Sequence, residues 1–419
     1  MGSVLVYRIG IRERVQVISG VMSATTNQSF TCPFCNLFCQ DVQIPNLGSS
    51  KPVWQPGCTL AQTSLEQLPA GNPLPCHDGA SMTWNEALDL AHRWLHSPRI
   101  PLVVLSGDAS CEAQRVGVEL AQRLHATVDT PLSRFDLAVP MASIDPGYLT
   151  CTMGEVAQKA DKLLFWGCWP RESHPRLFER LGWQDKNNTF EIHIGGRTSS
   201  PNELWLKQGE TVAFIERARL LARGETLLDS TPELASLVEF LGTAHLGVLF
   251  YGEEMLVEGR HPLTELFRLL DDVKGQGHWQ AVNLPVGGNI LGAAEALSRA
   301  TGFAQAVRFT EAGAEFVLQS GGTEGILSRE ASDLVIFVGQ PAGFSSESIK
   351  HLKEIPSITL SPTEPVYRTL WLPVSQLGIH VEGTVLRLDG VTIPLSTVWT
   401  SELSSMEDML GQLAEGVGS

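Results

Sequence analysis

The sequence predicts an α/β protein in which a small cysteine-rich N-terminal lobe precedes two doubly wound, Rossmann-like lobes. Three observations carry that prediction. Four apolar segments, 101–105, 162–166, 245–251 and 334–338, each run into a glycine at or just past their end, as buried strands do when they feed a turn and a helix. Five of eight cysteines (32, 35, 39, 58 and 76) crowd the first part of the chain. Between the apolar segments lie amphipathic stretches with helical spacing.

At 419 residues the chain can bury more than one core, and two to four lobes are expected. Hydrophobic residues make up 43% and charged residues 18%, with 39 glycines and 24 prolines scattered along the chain; a disordered or fibrous class is excluded. A formal charge of -16 argues against a nucleic-acid partner, which requires surplus Lys and Arg. No apolar run approaches the roughly 20 residues of a membrane span. A secretion signal is also unconvincing, since the apolar stretches near Val4 and Val15 are split by Arg8, Arg12 and Arg14. A cytoplasmic setting with reduced thiols is expected. Residues 1–28 read as a possible extension, with Met22 an alternative start.

In chain order, residues 29–82 form the cysteine-rich lobe, built around something other than a hydrophobic core. Thr83 and Glu86 then spell a capping box for an amphipathic helix whose apolar positions include Ala87, Leu88, Ala91, Trp94 and Leu95. The strand 101–105, a turn at Ser106-Gly107-Asp108 and a helix over about 111–125 make a first strand-turn-helix unit. Two later units look related: 160–167 and 332–339 share the order small residue, Asp, strand, Gly. The expected lobes span 83–205 and 206–360. A short β element over 361–400, turning at Asp389-Gly390, is expected to pack back on the N-terminal lobe, and a helical tail covers 401–419.

Cys32, Cys35, Cys39 and Cys58 form a C-x2-C-x3-C-x18-C set. Three thiolates from one loop and a fourth from a returning segment can hold a [4Fe-4S] cluster. Zinc and buried structural cysteines are the rivals, although the x3 gap with a solitary fourth cysteine suits a cluster better. Cys111 opens a predicted helix, where backbone N–H groups and the helix dipole favour a thiolate; a small buried cysteine is an equal reading. Gly167 and Pro170, then His174 and Arg176, follow a strand end where an Arg and a His can meet phosphate or pterin oxygens. Arg197 and Thr198 repeat the arrangement after another strand. No Walker A loop, G-x-S-x-G elbow or H-E-x-x-H occurs.

These pieces resemble, in their order, the B subunit of formylmethanofuran dehydrogenase and its relative in the formyltransferase/hydrolase complex, members of the molybdopterin oxidoreductase superfamily. The carriers are the four-cysteine loop, SGDASCEAQRVGVELAQRL, FWGCWPRESHPRLFERLGW, NLPVGGNILGAAEAL and GIHVEGTVLRLDGVTIPL. The resemblance implies a molybdopterin oxidoreductase-like fold and a [4Fe-4S] cluster on the four cysteines. It also makes Cys111 a ligand to tungsten or molybdenum held by two pyranopterin guanine dinucleotides. Gly107, Gly167, Pro170, Arg197, Thr198, Gly287, Gly288 and Asn289 would contact that cofactor, with Arg308 standing for a catalytic arginine. Amidohydrolase-like A, C and D subunits are the implied partners, and conversion between carbon dioxide, formate and formyl groups the implied chemistry.

The sequence departs from the family where substrate and pterin would bind. Glu112 stands where a His beside the metal cysteine is expected, Gly195 where an acidic ribose ligand is usual, and Trp169 where an Asn precedes Pro. The stretch 301–311 is shortened and has lost its usual arginines. Three functions follow: a catalytic dehydrogenase subunit, a non-catalytic subunit of the formyl-transferring complex, or a metal-stabilised α/β binding protein.

Overall fold

Apolar strands without a polar face need cover on both sides, and helices supply it here on two sheets. The computed structural model describes residues 29–44, 54–69, 71–96, 98–131, 149–184, 187–195, 203–228, 230–256, 261–273, 277–317, 322–341, 343–367 and 369–417. Its strands are β1 (Cys76–His77), β2 (Ala80–Ser81), β3 (Pro101–Leu105), β4 (Thr127–Asp129), β5 (Lys162–Trp166), β6 (Thr189–Ile194), β7 (Glu203–Leu206), β8 (Gly247–Tyr251), β9 (Trp279–Asn283), β10 (Val307–Thr310), β11 (Gly313–Phe316), β12 (Leu334–Val338), β13 (Ser357–Ser361), β14 (Leu370–Pro373), β15 (Gly383–Leu386) and β16 (Thr392–Leu395). One sheet has the order β11-β10-β4-β3-β12-β13-β14-β1-β2, a second β7-β6-β5-β8-β9, and β15 pairs with β16. The second sheet is wholly parallel. In the first, the run from β4 to β14 is parallel and both flanks are antiparallel.

Period-two alternation assigns each strand residue a core. Leu164 and Trp166 enter one core with Leu249 and Tyr251, while Leu163 and Phe165 enter another with Val248 and Phe250. In the first sheet Leu334, Ile336 and Val338 face one way, and Val335 and Phe337 the other. The capping box of the helix Trp84–Leu95 is present in both directions.

The related segments perform the same task twice. Asp161 accepts the backbone N–H groups of His245 and Leu246, which lead into β8. Asp333 likewise accepts those of Arg99 and Ile100, which lead into β3. Each Asp opens the central strand of its sheet and caps donors that enter the parallel neighbour.

Two expectations about lobes need correcting. Each sheet draws on both expected ranges: β3 and β4 pair into the sheet of β12 to β14, whereas β5 to β7 join β8 and β9. The chain therefore leaves the first sheet after β4, builds the second, and returns at β10. The cysteine segment is also not a lobe without an apolar core, because Cys32, Cys35 and Cys39 share one with Leu163, Phe165, Val248 and Phe250, and β1 and β2 extend the nine-stranded sheet.

Replacing Asp333 by Ala should hand two exposed backbone donors to water and cost about 0.5–1.5 kcal/mol. Denaturant midpoints of the two proteins check this, and equal midpoints would contradict the capping role.

Candidate functional site

In doubly wound sheets, ligands bind outside the carboxyl ends of strands where the winding direction reverses. That reversal lies between β5 and β8 in one sheet and between β3 and β12 in the other. At the first, Gly167 (φ +63°) abuts Gly252. A Cβ on Gly252 would lie 2.5 Å from the Cβ of Cys168, and one on Gly167 would lie 2.9 Å from the Met255 nitrogen. Trp169 stacks on His193 with centroids 4.2 Å apart, and Trp205 closes on both. Glu254 fastens this edge by accepting the indole N–H of Trp169 and the backbone N–H of Ile194. Pro170 starts the following short helix and is buried. Arg197 and Thr198 lie outside the described residues.

At the second reversal, a Cβ on Gly339 would collide with Ser106 Oγ, and Gln340 N–H donates to Asp108 at 2.8 Å. A cavity of about 160 Å³ separates this crest from Pro33, Phe34 and Phe38 of the cysteine loop, below the roughly 300 Å³ at which small-molecule sites begin.

Gly107, Gly288 and Asn289 do come together beside Cys111. Asn289 N–H donates to the Gly107 carbonyl at 2.7 Å, and a Cβ on Gly288 would reach that oxygen at 2.6 Å. The Asn289 amide donates to the Ala109 carbonyl at 2.9 Å and reaches Cys111 Sγ at 3.5 Å, while its oxygen accepts Leu386 N–H. Gly287 precedes them at φ +131°. Cys111 occupies the first turn of the helix Cys111–Arg123, behind the Ser110 cap. Burial pushes the Cys111 thiol up, and the Glu112 and Glu295 carboxylates add to it against the Asn289 hydrogen bond. Glu112 itself accepts Thr384 N–H of the β15–β16 hairpin. The open cavity beside the thiol, about 1040 Å³, is lined by Arg115, Glu119, Glu295, Arg299 and hairpin residues. Arg308 is not among them: it sits exposed on β10, in register with Thr127 and Glu315.

The four cysteines of the N-terminal set line one cavity together with Leu37, Val42, Trp54 and Arg176. All eight cysteines of the chain are free thiols. Burial, then the neighbouring Cys35, drives Cys32 well above the usual thiol range; Cys35 is pushed up to about 12, chiefly by burial. Among the described residues, no group of three or more His, Cys, Asp or Glu is arranged to hold a metal ion.

His174 and Arg176 support this loop rather than a ligand at the strand end. Arg176 has a side chain only 4% exposed, and binds Asp41 (2.6 and 3.0 Å) and Glu179 (2.6 and 3.0 Å). His174 is fully buried, with Nε2 2.6 Å from Asn36 Oδ1 and Nδ1 2.8 Å from Ser173 Oγ. Asn36, between two cysteines, also donates to the Pro285 carbonyl. Sequence reasoning missed Asn36, Trp54 and Glu254; only Asn36, inside the cysteine motif, carried a local signal.

Burial depresses His174 to about 3. Its neutral form therefore contributes stability that is present above the unfolded value near 6.5 and is lost as pH falls toward 3. Wild type should lose about 1.4 kcal/mol per pH unit through this group, and His174→Gln should flatten that slope in denaturation series between pH 6.5 and 4. Parallel slopes would contradict it.

No protein-family model matches the chain. It is 24% identical over 407 residues to the B subunit of the tungsten-containing formylmethanofuran dehydrogenase 2 of Methanococcus maripaludis, covering 88% of this chain and 93% of that protein. The protein of the same name from Methanocaldococcus jannaschii is 23% identical over the same shares. Among solved structures, a chain of the formyltransferase/hydrolase complex (FhcABCD) from Methylorubrum extorquens, in complex with methylofuran, is similar at a TM-score of 0.65 and 19% identity. That likeness covers 82% of this chain and 98% of the other.

Proposed function

Because this chain is homologous to formylmethanofuran dehydrogenase B subunits, we propose that it is the B-type subunit of an assembly handling one-carbon units at the formyl and formate level on a methanofuran-type carrier. Amidohydrolase-like A, C and D subunits would be its partners. Within that assembly its own contribution is a scaffold stapled by a [4Fe-4S] cluster on Cys32, Cys35, Cys39 and Cys58, rather than a metallopterin redox centre. Eight free thiols suit a reducing, cytoplasmic setting. Among the described residues no helix is long and apolar enough to cross a membrane.

The scaffold assignment rests on one observation. Between β5 and β8, where a dinucleotide would enter, Gly167 and Gly252 are in backbone contact, and the Trp169, His193 and Trp205 rings occupy the adjoining strand ends. A ligand there would have to unstack three rings and break both Glu254 hydrogen bonds. The residues expected on a metallopterin do not fit it: His174 and Arg176 are committed to the cysteine loop, and Arg308 lies away from Cys111.

The cysteine cavity suits a cluster by its donor set, three buried thiols and the half-buried Cys58 beside Arg176. A bound cluster supplies one-electron transfer and four covalent ties across the loop. Burial holds Cys32, Cys35 and Cys39 protonated until ligation takes their protons, and the Arg176 charge favours the thiolate form of Cys35 and Cys39.

A dehydrogenase reading is favoured by the open cavity at Cys111, large enough for a cofactor. Activity of the assembled complex separates the two. Cys111→Ser should leave formyl transfer and formate release within about two-fold of wild type; a loss of activity would return Cys111 to catalysis. Cys35→Ser should remove iron and lower thermal stability, and an unchanged iron content would refute the cluster.

A further inference from the structure

Trp54 is 2% exposed, and its indole Nε1 is buried with no hydrogen-bond partner among the described residues. Burying such a donor without an acceptor is costly, and buried polar groups in native proteins nearly always find one. The ring lines the same cavity as Cys32, Cys35, Cys39 and Cys58. Its position there is fixed, because Phe34, between the first two cysteines, holds it with centroids 5.9 Å apart and planes tilted by 56°. The chain carries the indole directly toward Cys58: Gln55 pairs with Gln43, and Cys58 caps the helix Thr59–Gln67. The unpartnered donor thus belongs to a ring that lines the same cavity as the four cysteines.

We propose that Trp54 is a positioning residue for the iron–sulfur cluster, donating its Nε1–H to a sulfide of the bound cluster. The inference rests on the cluster reading given above. Arg176 is spent on Asp41 and Glu179, so it acts on the cluster through charge alone. Trp54 supplies the directional contact. A donor to sulfur withdraws charge and stabilises the reduced cluster, so Trp54 raises its reduction potential.

The test uses the full chain purified anaerobically, with iron, sulfide and a potentiometric EPR titration on the same sample. Trp54→Phe keeps the aromatic contact and removes the donor. Iron content should match wild type and the midpoint should move to a more negative potential. Should Trp54→Phe fail to fold, pulsed EPR of the reduced wild-type protein carrying isotopically labelled tryptophan reads the same contact, as a coupling to an indole nitrogen or its exchangeable proton. An iron-loaded protein with an unshifted midpoint, or with no such coupling, overturns this proposal alone. A wild-type chain that binds no iron overturns the cluster reading and this proposal with it.

Discussion

Arg176 carries a permanent charge into a part of the molecule where its side chain is almost closed to solvent, and two carboxylates answer it. Asp41 comes from just beyond the cysteine loop and Glu179 from the helix after β5. Removing both partners would leave a buried charge uncompensated, a fault that typically costs about 3–5 kcal/mol; removing one leaves the other carboxylate in place. The loop is therefore locked to the five-stranded sheet before any metal is considered. His174, two residues earlier, secures the same loop through Asn36 without charge. The segment after β5, which in a nucleotide-binding protein would face a ligand, is occupied with holding the cysteines in place.

A second tie runs through Asn289. Its side chain joins the helix that begins at Cys111 to the C-terminal hairpin, and its backbone joins both to the Gly107 turn. The hairpin in turn covers Phe38 of the cysteine loop with Leu377, Val385, Ile393 and Leu395, while Asp389 at its turn, ion-paired with Arg387, accepts Met153 N–H. Cysteine loop, hairpin and both sheets thus make one mechanical unit.

Local chemistry was legible in the sequence where it is decided locally. The strands 101–105, 162–166 and 334–338, the Thr83–Glu86 capping box and the β turn at Asp389-Gly390 depend on neighbours a few residues apart. Sheet membership depends on partners more than a hundred residues away, and apolar periodicity does not record them, so contiguous lobes were expected where the chain interleaves two sheets. The same limit applies at the site. His174 and Arg176 have the right chemistry for phosphate, but their direction is set by Asn36 and Asp41, over 130 residues earlier. Helix position stabilises a thiolate at Cys111, while burial and two carboxylates, one of them far along the chain, push the thiol the other way.

Metal content of the complex, purified anaerobically from its native host, tests the central claim most directly. With iron, tungsten and molybdenum determined on one sample, a cluster-stapled scaffold predicts about four irons per chain and neither heavy metal. Tungsten or molybdenum in equal proportion to the chain would contradict it and make the Cys111 cavity a redox centre.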